Sequence, residues 1–170
     1  DIETMTLFAQ QAAVAIENAR LYEGAQERLA EVEALSAVGA ALVEERDLGR
    51  VLRTVGERVI ALLDAEGCSV ALLAPDEVAP AGQELTLAVV IGRSEAELQG
   101  RRIPLAGSFA GEAIRTGEPI VSYDVKADPR GYAGVPQGES FDTVLTMPLQ
   151  TRERTVGAIN VHGAPGRRFG

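Results

Sequence analysis

The spacing of apolar residues changes at Gly67, and this change limits what each part of the chain can form. Before Gly67, apolar residues recur every three or four positions, which is the spacing of one face of an α-helix. After it, Leu85, Leu87, Val89 and Ile91 occupy every second position, which is the period of a β-strand. The chain is therefore predicted to have a helical front and a body built on a sheet.

In the front part, the recurrence of apolar residues every three or four positions predicts a nearly continuous helix over residues 4–46. Gly24 and Gly39 each cost about 1 kcal/mol relative to Ala in a helix interior, so a kink or break is expected at either. A second helix is predicted over residues 48–64, with Asp47 as its N-cap. Two arrangements of the front remain open: it packs on its own domain, or it pairs with a second copy as a parallel coiled coil.

The body combines short strands with long loops. Strands are predicted over residues 68–73, 84–91, 102–105, 120–123, 144–149 and 155–161, and loops rich in Pro and Gly over 74–83 and 124–142. Ser108 is expected to cap a short helix over residues 108–116, which Gly117 closes at the C′ position. This order predicts an α+β fold: an antiparallel sheet of five or six strands, with helices on one face and loops on the other, preceded by a long helix.

Composition limits the partners. The formal net charge is −9, and an acidic chain repels the phosphate backbone, so no nucleic-acid partner is expected. No apolar run approaches the roughly 18 residues that span a bilayer, so no membrane contact is expected. A single cysteine fits a reducing compartment, and a cytoplasmic location is predicted.

Composition also limits the chemistry. The chain has one cysteine, Cys68, and one histidine, His162, which cannot supply a metal cluster or a thiol–imidazole pair at neighbouring positions. Gly107–Gly111 lacks the Gly-x-Ser-x-Gly order of a nucleophile elbow, so Ser108 is interpreted as a helix cap. We therefore predict no metal site, no catalytic residue and no enzymatic activity, and no cofactor is implied.

Several segments, taken together, resemble one family. Residues 7–22, LFAQQAAVAIENARLY, closely resemble the last helix of a GAF domain, the small sensory module of bacterial signalling proteins. Residues 105–120, LAGSFAGEAIRTGEPI, and the pair Met147–Leu149 and Val156–Val161 are similar to GAF motifs in their order and spacing. The resemblance implies that residues 1–22 end a preceding GAF-like domain, 23–46 form a helical linker, and 47–170 form a GAF-like domain lacking its final helix.

The resemblance implies a sensory, regulatory function. Such a domain binds a small molecule and relays the change through its helical linker to an output domain, such as a histidine kinase or a cyclic-dinucleotide enzyme. The ligand would lie between the sheet and the elements at 107–116 and 124–142. The candidate ligand-binding residues, whose alternative role is plain core and loop packing, are Phe109, Tyr123, Asp124, Tyr132 and Phe141.

Four other functions are weighed against this one. A structural dimerisation module without ligand remains an alternative. A tetrapyrrole photoreceptor is a remote alternative, because Cys68 has no neighbouring histidine. Methionine sulfoxide reductases of the family need several cysteines. Cyclic-nucleotide binding fits poorly, because Val161 stands at the family's lysine position even though Asn160 and Phe169 match other positions.

A homodimer through the N-terminal helices is predicted. The domain's own final helix is expected to begin just after Phe169, which leaves apolar surface on the sheet for the front helix to cover. It would do so by pairing with its counterpart or by docking on a sheet in the vacant place. The candidate dimer residues are Ile16, Ala19, Leu21, Leu29 and Val32.

Overall fold

The computed structural model describes residues 2–27, 37–74, 84–93, 95–131 and 142–169. In chain order the elements are α1 (Ile2–Glu27), α2 (Ala37–Leu63), β1 (Gly67–Leu73), β2 (Glu84–Ile91), α3 (Glu95–Leu98), β3 (Arg102–Pro104), α4 (Phe109–Thr116), β4 (Ile120–Ser122), β5 (Thr143–Gln150) and β6 (Thr155–Gly163). The strands form one antiparallel six-stranded sheet in the order β3-β2-β1-β6-β5-β4. The α+β fold and the antiparallel sheet predicted from the sequence are confirmed.

The sheet has covered surfaces on both sides. Every residue of β1 is buried, as expected for a central strand with material on both faces. Cys68, Val70 and Leu72 join the core that includes α1 and α2, whereas Ala71 and Leu73 join the core that includes Ala110 of α4. We call these the helical side and the loop side of the sheet.

Helix α1 lies on the helical side, against β5 and β6, and beside α2. Its inward face is rich in alanine, and Ala9, Ala12 and Ala13 let the helix approach the sheet closely. Met5 and Ile16 are completely buried on the same face. A bidentate ion pair between Arg154 and Glu17, with N–O distances of 3.0 and 3.1 Å, ties the outer part of the helix to the β5–β6 turn.

The prediction of one nearly continuous front helix was wrong. Helices α1 and α2 pack against each other, which two parts of one straight helix cannot do. Residues 28–36, between them, lie outside the described part. Asp47 lies inside α2 rather than capping it, because the ten residues before it, AVGAALVEER, are mostly good helix formers. Gly24 and Gly39 also lie within helices.

The predicted caps of α4 and the predicted strands agree with the structure. The Ser108 hydroxyl accepts a hydrogen bond from the Gly111 amide at 3.1 Å, and Gly117 has a φ of 71°, which confirms both caps of α4. The predicted strand ends differ from the observed ones by no more than two residues. The sequence missed α3, which has only four residues.

Most of the two predicted long loops, 74–83 and 124–142, cannot be compared with the structure, because residues 75–83 and 132–141 lie outside the described part. None of the described helices is long and apolar enough to cross a membrane.

Two glycine substitutions test how tightly α4 is seated. A Cβ at Gly111 would lie 1.6 Å from the Leu105 carbonyl oxygen, whereas a Cβ at Gly49 in α2 meets nothing within 4 Å. Gly111→Ala should lower the free energy of unfolding by about 3 kcal/mol, because backbone must move. Gly49→Ala should raise it by up to about 1 kcal/mol. Urea denaturation measures both, and equal effects of the two variants would contradict the close seating.

Candidate functional site

A row of polar side chains crosses the loop side of the three central strands. Asn160 of β6 faces Ser69 of β1 and Thr146 of β5 in the strand register. The Asn160 amide nitrogen donates to the Ser69 hydroxyl at 3.1 Å, and the Thr146 hydroxyl donates to the Asn160 amide oxygen at 2.8 Å. All three side chains are buried. Burial of polar groups is tolerated because they bond to one another.

The row retains donor capacity. An amide nitrogen carries two hydrogens and a hydroxyl one, so Asn160 keeps a second N–H and Ser69 keeps its O–H after these bonds are made. Within the described residues, no acceptor is assigned to either hydrogen. The row is also electrically neutral, since it consists of an amide and two hydroxyls. Its chemistry suits an uncharged acceptor group.

Phe109 lies at the start of α4, over β4 and β5. It is buried with Ala113, Ile120 and Val144 in a small core on the loop side. The Arg130 guanidinium carbon lies 5.9 Å from the centre of the Phe109 ring, within the range of a cation–π contact. The start of α4 is thus joined to the segment that follows β4.

Arg130 is held in place by Asp128. Two guanidinium nitrogens lie 2.9 and 2.6 Å from the two carboxylate oxygens, and the side chain of Asp128 is only 11% exposed. This hydrogen bonding holds the pKa of the Asp128 carboxyl well below its usual range, despite the opposing effect of burial. Arg130 also donates to the Val121 carbonyl at 3.3 Å. The pair therefore fastens the segment after β4 to its own strand.

Asp124 closes the turn that begins this segment. Its carboxylate accepts from the Ala127 amide at 3.1 Å, and its carbonyl accepts from the Asp128 amide at 3.0 Å. A shallow depression of about 480 Å³ lies here, lined by Val121, Ser122, Tyr123, Asp124, Ala127, Asp128, Pro129 and Arg130.

The structure brings together only part of the predicted ligand-binding set. Asp124 and Tyr123 line the depression, and Phe109 is buried nearby beneath Arg130. The Tyr123 hydroxyl, however, bonds to the carbonyl of Phe169, a residue of the helical-side core. Tyr132 and Phe141 lie outside the described residues.

Sequence reasoning missed most of the polar groups at this site. Ser69 and Thr146 were not considered, and Asn160 was weighed only for a cyclic-nucleotide motif. One signal was available: each is a polar residue within an otherwise apolar strand, and such residues face a partner or a ligand. The pairing of Asp128 with Arg130 carries no comparable signal in the sequence.

The predicted dimer residues differ in how exposed they are. Ile16 is completely buried against the chain's own sheet, Ala19 is half-buried, and Leu21 is 63% exposed. Leu29 and Val32 are outside the described side chains. Leu7, Val14 and Leu21 instead form an exposed stripe on α1 at intervals of seven residues, which we call the outer stripe.

A cleft of about 590 Å³ opens beside the first half of α1. Its walls are Thr6, Ala9, Gln10 and Val14 on the helix, with Gly117, Glu118, Pro119, Met147, Pro148, Gln150, Thr151 and Arg152 opposite. Val14 thus belongs to both the cleft and the outer stripe. The cleft lies between the helix and the rim of the sheet.

Cys68 and His162 lie at the end of the sheet where β1 begins. Cys68 is completely buried, and burial raises the pKa of its thiol to about 12, so it carries almost no thiolate at neutral pH. His162 follows Asn160 by two positions and so lies on the loop side. Among the described residues, no group of three or more His, Cys, Asp or Glu side chains is placed to hold a metal ion.

The half-buried His162 makes stability depend on pH. Burial lowers the pKa of its imidazole from 6.5 to about 4. The unfolded chain therefore binds the proton first, and stability is full above pH 6.5 and falls as the pH drops towards 4. The loss should reach at most about 3 kcal/mol.

Urea unfolding between pH 7 and pH 5 measures this effect. His162→Gln, which stays neutral, should remove most of the pH dependence in that range. An unchanged slope in the variant would show that another group is responsible.

Comparison with known proteins agrees with this architecture. A family model described as GAF domain matches residues 45–170. The second GAF domain of DevS from Mycobacterium smegmatis is 24% identical, covers 68% of this chain and 73% of its own, and has a TM-score of 0.51. NreA from Staphylococcus aureus, mutated in its nitrate binding site, is 18% identical over 76% of this chain and 92% of its own, with a TM-score of 0.57.

One similar structure is that of an enzyme. A type II free methionine-R-sulfoxide reductase from Thermoplasma acidophilum is 16% identical over 74% of this chain and 82% of its own, with a TM-score of 0.58. At these identities, the likeness to the three structures concerns the fold alone.

Proposed function

The chain belongs to the GAF domain family, and on that premise we propose that it is a regulatory sensor module that binds a small molecule on the loop side of its sheet. The buried polar row of Ser69, Asn160 and Thr146 is the observation that carries this proposal. A strand interior filled with apolar side chains would serve stability equally well. Because the row is neutral and has unused hydrogen-bond donors, it is instead suited to recognising a ligand.

The chemistry of the row favours an uncharged ligand group. A charge placed against buried hydroxyl and amide groups would lack a counter-charge, and burying it would cost several kcal/mol. The cationic Arg130 is already paired with Asp128. The ligand is therefore proposed to present a neutral hydrogen-bond acceptor, such as a carbonyl or ether oxygen, to the row.

We propose binding without catalysis. The reductase from Thermoplasma acidophilum demonstrates that a similar fold can carry an enzyme. In this chain the single cysteine is buried, and its raised pKa leaves it without nucleophilic thiolate. This supports a regulatory rather than a thiol-based enzymatic role.

Ligand binding is tested by thermal shift with a panel of small, uncharged metabolites, with nitrate as a charged comparison. A compound at 100 times its Kd should stabilise the wild type by about 2.7 kcal/mol. Ser69→Ala, which removes one donor of the row, should weaken binding by roughly tenfold. Thr54→Ala, which removes an exposed hydroxyl on α2, should leave the affinity unchanged.

Equal affinity of the wild type and Ser69→Ala would exclude the row as the site. If no compound shifts the melting temperature, and native mass spectrometry of the purified protein detects no bound small molecule, a module without ligand is favoured.

The outer stripe favours a second function, dimerisation. Leu7, Val14 and Leu21 are each more than half exposed, and a spacing of seven residues suits a partner helix in a left-handed supercoil. We propose that this stripe, rather than Ile16, contacts the α1 helix of a second copy. The three side chains fall short of the about 800 Å² per partner of a stable interface, so pairing should be weak and concentration-dependent.

Cysteine cross-linking tests the dimer directly. Val14→Cys lies at the centre of the stripe and should form an intermolecular disulfide on mild oxidation, since buried Cys68 does not compete. Ala127→Cys, exposed on the loop side, should not. Efficient cross-linking of Leu21→Cys as well would indicate parallel helices, and its absence antiparallel ones. Failure of Val14→Cys to cross-link at high protein concentration would contradict pairing along the stripe.

The place of the chain in a longer protein is also proposed. We assign residues 1–22 to the end of a preceding GAF-like domain, 23–46 to a helical linker and 47–170 to the sensor domain, although α2 runs through residue 46 without a break. The output domain is proposed to be a histidine kinase or a cyclic-dinucleotide enzyme. A cytoplasmic location fits the single reduced cysteine.

A further inference from the structure

Residues 164–169, which we call the C-terminal strap, follow β6 and contact both sides of the molecule. The strap turns back on itself, with Gly166 at a φ of 82° and the Arg167 amide bonded to the Ala164 carbonyl at 3.0 Å. Three consecutive residues at its end then make three different contacts.

Arg167 contacts the end of α2. Its guanidinium donates a hydrogen bond to the carbonyl of Leu63, the last residue of that helix, and lies 3.6 Å from the carboxylate of Asp64. The last carbonyls of a helix have no partner within the helix, and a cation is favourable there. Arg167 thus completes the C-terminus of α2 from a distant part of the chain.

Phe169 and Arg168 contact Tyr123, at the end of β4. The Phe169 carbonyl accepts from the Tyr123 hydroxyl at 3.2 Å, and the Arg168 guanidinium carbon lies 5.2 Å from the centre of the Tyr123 ring. The Phe169 side chain is buried in the helical-side core, where a Cβ at Gly163 would come within 3.0 Å of its ring. The anchored Phe169 keeps this contact in a defined position.

Tyr123 is also the residue before Asp124, which closes the turn of the segment at the depression. A displacement of that segment therefore acts on Tyr123 directly. The hydrogen bond from Tyr123 to the Phe169 carbonyl passes this displacement on to the strap. Two residues before Phe169, Arg167 of the same strap is bonded to the end of α2.

We propose that the strap couples the loop-side segment 124–131 to the C-terminus of α2. The coupling rests on the proposed sensor function, because it assigns a route by which a ligand at that segment alters the helical layer. It works through two alternative states of the strap: one in which Tyr123 and Leu63 are both bonded, and one in which both bonds are released. Energetic coupling requires such an element, which both ends bias.

Amide hydrogen exchange of the ligand-free protein tests the coupling. The reporters are the Ala65 amide, bonded to the Ile60 carbonyl at 3.0 Å, and the Asp128 amide, bonded to the Asp124 carbonyl at 3.0 Å. Tyr123→Phe removes only a hydroxyl from a side chain that is 46% exposed, so the fold should persist. It should speed exchange at Ala65 by about fivefold, the factor for one lost hydrogen bond.

Linkage requires the reverse effect as well. Arg167→Gln, at the other end of the strap, should speed exchange of the Asp128 amide by a similar factor. Arg102→Gln is the matched control, because its guanidinium pairs with Glu84 across β2 and β3, at the edge of the sheet opposite β4. It should leave both amides unchanged.

Acceleration at the distant reporter in both variants, with none in the control, supports the coupling. Effects confined to the substituted end would overturn it, and so would uniform acceleration across the sheet, which signals global destabilisation. Because no ligand is added, this result is independent of the thermal-shift experiment. A strap that couples without any ligand being found would leave the regulatory route intact and the ligand proposal unsupported.

Discussion

Burial of the central strands on both faces is the constraint on which the rest of the structure depends. Strand β1 is buried along its whole length, and β6 is buried at all but its first residue and His162. A strand in this position needs apolar cover above and below. The helical layer supplies one cover, and α4 with the segment after β4 supplies the other.

The two covers differ in chemistry. Alanines on α1 allow a close contact with β5 and β6, and this side of the sheet carries the large apolar core. The opposite side holds Asn160 and its two hydroxyl partners beneath α4, together with the Asp128–Arg130 pair at its edge. The apolar side suits stability, whereas the side with unused hydrogen-bond donors suits the recognition of a ligand.

Local rules explain what the sequence predicted correctly. The strands of the sheet follow from alternation and from runs of β-branched residues bounded by Gly and Pro, and their number and antiparallel arrangement follow from short connections. The caps of α4 follow from Ser108 and Gly117, whose preferences act within four residues. The same reasoning failed at Asp47, because a cap residue competes with the helix formers on both sides of it, and here the helix continued.

Non-local contacts account for what the sequence did not reveal. An aromatic residue at the end of a strand is equally suited to either side of a sheet, so nothing near Tyr123 predicted that its hydroxyl would meet the carbonyl of Phe169. Likewise, the apolar face of α1 was evident from the sequence, but only the packing of α1 against β5 and β6 showed that Ile16 faces the sheet.

The sequence by itself determined the strands, their order along the chain, the caps of α4 and the family, because these depend on residue spacing and on preferences that act over a few positions. The tertiary structure decided which polar groups meet. Ser69 lies 91 residues from Asn160 in the chain, and strand register brings these two side chains and Thr146 together. Arg167 reaches the end of α2 for the same reason: a hydrogen bond depends on distance in space, and distance along the chain does not determine it.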